Sequence, residues 1–132
     1  MAIVLDHTIV PAHDKFASAK FFADLFGLDC GEPVGPFAPV PVNGSLTFDF
    51  DDRRKPIEVH HYAFHVSATE FDAIFERVKA RSLTYGSGPY SDDNMQVSEF
   101  NGGRTVYFKE LNGHLLEIRT RTSAEDIAAM SH

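Results

Sequence analysis

Apolar residues alternate with polar ones in several short stretches. This spacing predicts β-strands, because successive side chains of a strand point to opposite faces. The predicted strands cover residues 3–10, 45–50, 59–66, 105–109 and 115–119. The segment 28–42 is also strand-like, but its prolines and glycines restrict any strand there to a short or edge position. Between the last two strands, Asn112 and Gly113 predict the tip of a β-hairpin.

A helix is predicted at residues 16–26, where the apolar residues recur at helical rather than alternating spacing. One face of this helix consists of Ala19, Phe22, Ala23 and Phe26. Asp14 precedes it as a plausible N-cap, and Gly27 follows as the expected end of the helix.

A second helix is predicted after residue 66, where Ser67 and Glu70 have the spacing of a capping box. Its apolar residues then follow the order i, i+3, i+4, i+7 and are Phe71, Ile74, Phe75 and Val78. In the tail we expect one more short helix at 124–130, capped by Ser123.

The order of these elements is an internal repeat, because a strand, a helix and further strands occur twice. The modules cover about residues 3–52 and 58–120, followed by a tail at 121–132, within one domain. The polar run 51–58 is the predicted linker. The long irregular stretch 86–103 is of the kind that is usually functional or mobile.

Composition narrows the function further. The net charge of −7 and the lack of a basic cluster argue against nucleic acid or an anionic membrane as partner. The single cysteine, Cys30, excludes an internal disulfide and suits a reducing compartment. No charged leader and no apolar run long enough to span a bilayer are found in the sequence. We therefore expect a soluble, cytoplasmic domain.

The repeat also pairs residues that carry chemistry. His7 and His61 occupy matching positions in the first strand of each module, and Asp49 and Glu117 match in the last. A pseudo-two-fold axis would bring these four residues together. A carboxylate among apolar residues is costly to bury unless it is paired or bound to a cation. The alternative for Glu117 is an ion pair with Arg119 on a solvated face.

Three stretches carry a resemblance to a known superfamily: LDHTIV, HHYAFHV and GGRTVYFKELNGHLLEI. In these stretches the chain resembles the vicinal oxygen chelate superfamily, which includes glyoxalase I, extradiol dioxygenases, fosfomycin-resistance thiol transferases and bleomycin-binding proteins. The resemblance covers about residues 3–120. It implies an α+β fold in which two paired βαβββ modules form an open, cup-shaped sheet. It also implies a divalent metal held by His7, His61 and Glu117, and a homodimer.

The sequence gives less reason to place the other histidines in the metal site. Alternation places His61 and His65 on one face of their strand and His60 on the other, so His60 is expected to be exposed. His65 either lines the cup as a hydrogen-bond donor or acid/base, or is an ordinary hydrogen-bonded histidine. We expect His13 and His114, which lies beside the Asn-Gly turn, on the surface.

Two further residues bear on the reaction. Asp49 stands where glyoxalase I has a second Glu, and could act as a general base or pair with Arg104 or Arg119. Tyr107 precedes Glu117 by ten residues, as a Tyr does in extradiol dioxygenases. Two departures from that motif are Leu111 in place of a Pro and the absence of a His at 98–100, where the family has the acid/base of ring cleavage.

The leading hypothesis is a metal-dependent, extradiol-type oxygenase that acts on an aromatic small molecule. The metal is expected to be Fe(II), although Mn(II), Ni(II) and Zn(II) accept the same ligands. Asp49, His65 and Tyr107 are the candidates for moving protons. One alternative is glyoxalase- or epimerase-like proton transfer with Asp49 as base. Another, from a different class, is a binding protein that sequesters a hydrophobic drug.

Overall fold

The computed structural model describes residues 3–130, which form strands and helices in open sheets. The strands are β1 (His7–Pro11), β2 (Ala38–Pro41), β3 (Thr47–Asp51), β4 (His61–His65), β5 (Tyr85–Gly86), β6 (Ser98–Phe100), β7 (Gly103–Lys109) and β8 (Leu115–Arg119). The helices are α1 (Lys15–Phe26), α2 (Ala68–Ala80) and α3 (Ser123–Met130). The expected α+β class is confirmed.

The chain forms two compact units, of which the first runs to Val59 and includes the turn Glu110–Gly113. Its sheet has the order β1-β3-β2, with β1 parallel and β2 antiparallel to β3. Strand β2 lies at an edge, where its two prolines remove no hydrogen bond from the sheet interior. The core is aromatic, since Phe22 of α1 stacks on Phe48 at 5.0 Å and lies 6.0 Å from Phe50.

Helix α1 begins and ends where the sequence predicts. The Asp14 carboxylate accepts hydrogen bonds from the backbone N–H groups of Phe16 and Ala17, and Gly27 ends the helix with a left-handed φ of 71°. These are local effects of residues within one turn of each end. The buried face of α1 differs from the predicted apolar face at its end. Leu25, which was outside the predicted face, is fully buried, whereas Phe26 is only half-buried.

The second unit comprises His60–Lys109 and the chain from His114 onward. Its sheet has the order β4-β8-β7-β5, with β6 paired to β7. Strand β8 is central, parallel to β4 and antiparallel to β7. The predicted capping box of Ser67 and Glu70 is formed at the start of α2. The side chains of the core are Phe71, Ile74, Val78, Val106, Phe108, Leu116 and Ile118.

Several predicted boundaries are wrong. The first strand begins at His7 rather than at residue 3, because its pairing with β3 starts opposite Thr47. The polar linker begins after Asp51, which is buried as the last residue of β3. The stretch 86–103 contains β6, which pairs with the start of β7. Helix α3 is capped by Thr122, whose hydroxyl accepts from the N–H of Glu125.

Across residues 3–130, none of the helices combines the length and the apolar character that crossing a membrane requires.

Candidate metal centre

Glu117 occupies the middle of the central strand of its sheet. It pairs in register with Ala63 of β4 on one side and with Tyr107 of β7 on the other. The residue is only 3% exposed. A carboxylate so far removed from water must be compensated by charge and hydrogen bonds. The alternative that Glu117 lies on a solvated face is therefore wrong.

Three side chains surround this carboxylate. His61 Nε2 lies 3.0 Å from Glu117 Oε1, and Arg119 Nη1 lies 3.5 Å from Oε2. Tyr107 shares a side-chain hydrogen bond with the same carboxylate. The pair with Arg119 is thus present, but it is the longer of the two ion-pair contacts. Arg119 is also paired with Asp126 of α3.

The hydrogen bond of the His61 ring determines its tautomer. Nδ1 lies 3.1 Å from the carbonyl oxygen of Leu115, and a carbonyl can only accept, so Nδ1 carries the proton. Nε2 faces the Glu117 carboxylate, which when ionised is also only an acceptor. A second proton or a bound cation makes this contact attractive. A backbone acceptor on one ring nitrogen is also how metal-binding histidines are generally oriented.

The two side chains present their donor atoms to each other at close range. The separation between His61 Nε2 and Glu117 Oε1 is 3.0 Å. One imidazole nitrogen and one carboxylate oxygen also suit borderline divalent metals such as Fe(II), Mn(II), Ni(II) and Zn(II). These two residues therefore fit the donor set of such a metal.

Tyr107 lies against the same pair. Its ring stacks on that of His61 with centroids 5.9 Å apart and planes 19° apart. Burial, the negative charge of Glu117 and the hydrogen bond to Glu117 raise the pKa of Tyr107 to about 12. The phenol therefore keeps its proton at neutral pH and acts as a donor. Tyr107 lies opposite the buried Val106 and Phe108, as the alternation predicts.

The first unit repeats this strand pairing. Asp49 of β3 is in register with Ile9, two residues beyond His7, in a parallel pair. Glu117 is in register with Ala63, two residues beyond the equivalent histidine, also in a parallel pair. The match that the sequence repeat predicts between the two histidine–carboxylate pairs is therefore found in the strand registers.

His7 is exposed and has a carboxylate neighbour of its own. Its Nδ1 lies 2.6 Å from Asp6 Oδ2. The hydrogen bond with Asp6, together with the charges of Asp6 and Asp49, raises the pKa of His7 above its ordinary value. Engagement of Nδ1 by a carboxylate is again the arrangement that orients histidine ligands of metals.

The structure brings together part of the predicted ligand set. His61 and Glu117 are in contact in one unit, whereas His7 belongs to the other. Among residues 3–130, no group of three or more His, Cys, Asp or Glu side chains is arranged to hold a metal ion. The three-residue site therefore stays a prediction.

Further predictions from the sequence concern His65, Asp49, His60 and His13. His65 is exposed at the end of β4, in register with Arg119. Both arginines considered as partners of Asp49 are paired with other carboxylates, since Arg104 binds Asp72 at 2.8 Å and Arg119 binds Asp126. His60 and His13 are exposed, as expected.

His114 corrects the sequence prediction. It was expected on the surface beside the turn, but it is 0% exposed. Its Nδ1 accepts a hydrogen bond of 2.9 Å from the backbone N–H of His60. Strand alternation contained the signal, because position 114 shares its parity with Leu116 and Ile118, which face the core.

Comparisons with known proteins agree with this fold. The chain is 31% identical over 129 residues to the metallothiol transferase FosB of Shouchella clausii (strain KSM-K16), a match that covers 94% of this chain and 84% of the relative. The FosB of Lysinibacillus sphaericus (strain C3-41) is 25% identical over 123 residues, covering 89% and 82% of the two chains. No family model matches the sequence.

Solved structures extend the comparison. The structure named oxidase ChaP-H2 is 46% identical with a TM-score of 0.88, covering 92% of this chain and 96% of the other. A lactoylglutathione lyase from Agrobacterium tumefaciens shares the fold at 18% identity and a TM-score of 0.66, covering 88% and 92%. The chain belongs to the vicinal oxygen chelate superfamily, as the sequence motifs predict. Its relatives are named as enzymes: a metal-dependent thiol transferase, an oxidase and a lyase.

Proposed function

We propose that this protein is a divalent-metal-dependent oxygenase that acts on an aromatic small molecule. The observation that carries the metal is the buried Glu117 carboxylate facing Nε2 of His61 at 3.0 Å. The oxygenase assignment draws on the 46% identity to a protein named as an oxidase.

His7, His61 and Glu117 are the proposed ligands, with Fe(II) as the favoured metal. When bound, the metal would act as a Lewis acid toward vicinal oxygens of the substrate. The neutral phenol of Tyr107, stacked on His61, can donate a hydrogen bond to a substrate oxygen. Asp49 and His65 are the proposed groups for accepting and returning protons.

We further propose that the protein is a cytoplasmic homodimer. Strand β4 is an edge of its sheet and has exposed residues along it, and the residues before β1 include the exposed apolar side chains Ile3 and Leu5. An exposed edge and exposed apolar residues favour association with a second copy. Sedimentation of the purified protein at several concentrations tests this, and a monomer throughout would contradict it.

A second candidate is proton transfer of the lyase or isomerase type, with Asp49 as base. It is favoured by the strand register, which gives Asp49 the same position relative to His7 as Glu117 has to the second histidine. In this reaction the carboxylate would remove a proton next to a substrate carbonyl. The two candidates share the metal ligands and differ in whether oxygen is consumed.

Anaerobic purification followed by elemental analysis is the first test. We expect one divalent metal per chain in the wild type, and its loss in His61→Ala. His60→Ala is the matched control, because His60 is the neighbouring exposed histidine. Protein that neither contains nor acquires metal would remove both enzymatic functions and leave a binding protein.

Activity measurements then separate the reactions. Oxygen uptake with a panel of catechols is expected for the oxygenase. Turnover of methylglyoxal with glutathione would instead favour the lyase, and thiol addition to fosfomycin would favour the activity named for the FosB relatives. Metal binding with oxygen uptake absent across the panel would refute the aromatic oxygenase as proposed.

A further inference from the structure

Three hydrogen bonds join the start of β4 to the start of β8. The His60 N–H donates to His114 Nδ1 at 2.9 Å, and the Leu115 N–H donates to the His60 carbonyl at 2.9 Å. The His61 ring, one residue further, donates from Nδ1 to the Leu115 carbonyl at 3.1 Å. Two consecutive residues at the start of β4, His60 and His61, are thus held by His114 and Leu115 at the start of β8.

The first of these bonds restricts the state of His114. Because its Nδ1 accepts a hydrogen bond from the backbone N–H, Nδ1 carries no proton, and the ring is the neutral form with its proton on Nε2. The ring is fully buried beside His60 and Tyr62, with centroids 5.7 and 5.9 Å away. A fully buried His is less common than an apolar residue in such a position. Here it supplies an acceptor that no apolar side chain could provide.

The bond also explains how His61 is oriented. Both backbone polar groups of His60 are held by β8, so the peptide that leads into His61 has a defined position. The His61 ring is held by the same segment, and Glu117 follows two residues after Leu115. The 3.0 Å separation between His61 Nε2 and Glu117 is therefore set by one short stretch of β8.

We propose that His114 is a positioning residue for the metal ligand His61. Its Nδ1 anchors the His60 backbone and thereby keeps the His61 ring in the orientation and tautomer that direct Nε2 at Glu117. The inference rests on the proposed function insofar as it takes His61 to be a ligand. His114 itself is not proposed as a ligand, because the Nδ1 lone pair accepts the backbone hydrogen bond and Nε2 carries the proton of the neutral ring.

Two substitutions separate positioning from packing. His114→Leu fills much of the same space but has no acceptor, whereas His114→Asn is smaller and keeps an acceptor near the place of Nδ1. A role in positioning predicts that the Asn variant resembles the wild type more closely than the Leu variant does. A role in packing alone predicts the reverse order. His114→Met is a second variant without an acceptor, in case the Leu variant does not fold.

The measurements are Zn²⁺ affinity by calorimetry and the ¹⁵N chemical shifts of the His61 ring in metal-free protein. We expect the Leu variant to lose about 10–100-fold in affinity, the usual effect of removing a hydrogen bond that orients a ligand. We also expect its His61 ring to become a mixture of tautomers, while the Asn variant keeps the Nδ1–H form. An unchanged His61 tautomer in the Leu or Met variant would overturn the inference, whatever the affinity of that variant for Zn²⁺.

The two readouts keep this inference distinct from the proposed function. If wild-type protein binds no Zn²⁺, the proposed metal site fails. The tautomer of His61 in metal-free protein then still decides whether His114 orients the ring. If the wild type binds Zn²⁺ and the tautomer is the same in all variants, the site stands and the role of His114 is wrong.

Discussion

At the level of single residues, the Glu117 carboxylate is almost wholly removed from solvent, so its charge must be compensated by neighbouring groups. A histidine, an arginine and a tyrosine meet it there and supply the charge and hydrogen bonds that its burial demands. The neutral phenol of Tyr107 can donate to only one acceptor at a time. The direct contact between His61 and Glu117 is therefore the residue-level feature that supports the proposed metal site.

Glu117→Gln is expected to abolish stabilisation of the protein by divalent metal. The amide keeps the shape of the side chain but removes its charge, so the affinity for a cation falls. For the wild type, metal at 100 times its dissociation constant should raise the free energy of unfolding by about 2.7 kcal/mol. Thermal melts with and without Mn²⁺ or Zn²⁺ measure this. Glu76→Gln, at an exposed carboxylate, is the control and should respond like the wild type.

Tyr107→Phe is expected to keep the metal and lose turnover. The ring that stacks on His61 remains, while the hydroxyl group that can donate to a substrate oxygen is removed. A positioned proton donor contributes about 100-fold or more to the rate. Metal content and kcat measured on the same sample test this. Loss of metal together with activity would show that Tyr107 serves the metal site instead.

At the level of elements, local chemistry decides where helices and strands end. Asp14 and Gly27 bound α1, and Ser67 with Glu70 begins α2, all through hydrogen bonds within one turn. A local hydrogen-bonded pair, Asp51 and Arg53, also lies at the end of β3. The Asp51 carboxylate, 1% exposed, accepts from Nε and Nη2 of Arg53 at 3.0 and 3.2 Å.

Asp51→Asn is expected to lower the free energy of unfolding at pH 7 by about 1–3 kcal/mol, because a buried acceptor of charged hydrogen bonds loses its charge. The hydrogen bond from Arg53 holds the pKa of Asp51 below its ordinary value of 3.8. The folded state thus binds the proton less tightly than the unfolded state. The stabilisation is present above about pH 4 and is lost as the pH falls through the lower folded pKa.

Urea unfolding at pH 7, 4 and 3 measures this effect. The difference between wild type and Asp51→Asn should shrink as the pH falls below about 4. Asp29→Asn, at an exposed carboxylate, is the control. A difference that stays constant with pH would contradict the role of the Asp51 charge.

At the level of the whole molecule, the turn between β7 and β8 belongs to the first unit although both strands belong to the second. Asn112 holds the turn there. It accepts from the His13 N–H at 2.8 Å and donates to the Ser18 hydroxyl at 2.9 Å and to Glu110 at 2.7 Å. This buried network attaches the turn to the start of α1.

Asn112→Ala is expected to lower the free energy of unfolding by about 1–3 kcal/mol, since the variant leaves buried partners without their hydrogen bonds. Urea unfolding of the whole chain tests this. Asn43→Ala is the comparison, because Asn43 also accepts backbone hydrogen bonds but lies in an exposed turn where water can replace them. An equal or smaller loss in Asn112→Ala would contradict a structural role for the buried network.

The sequence by itself determined the features that depend on neighbours along the chain. Helix caps and strand alternation are set by residues a few positions apart, so α1, the α2 capping box and the β7–β8 hairpin follow from local pattern. The repeat also predicted the matching histidine and carboxylate positions that the strand registers now contain.

Only the tertiary structure decided which groups are buried and which touch. Burial of His114 and Asn112 depends on which distant segments cover them, and the strand in 98–100 exists because β7 offers an edge for pairing. The contact between His61 and Glu117 joins residues 56 positions apart, and its distance follows from the parallel register of β4 and β8. Local sequence does not determine such contacts, because they arise when the whole sheet forms.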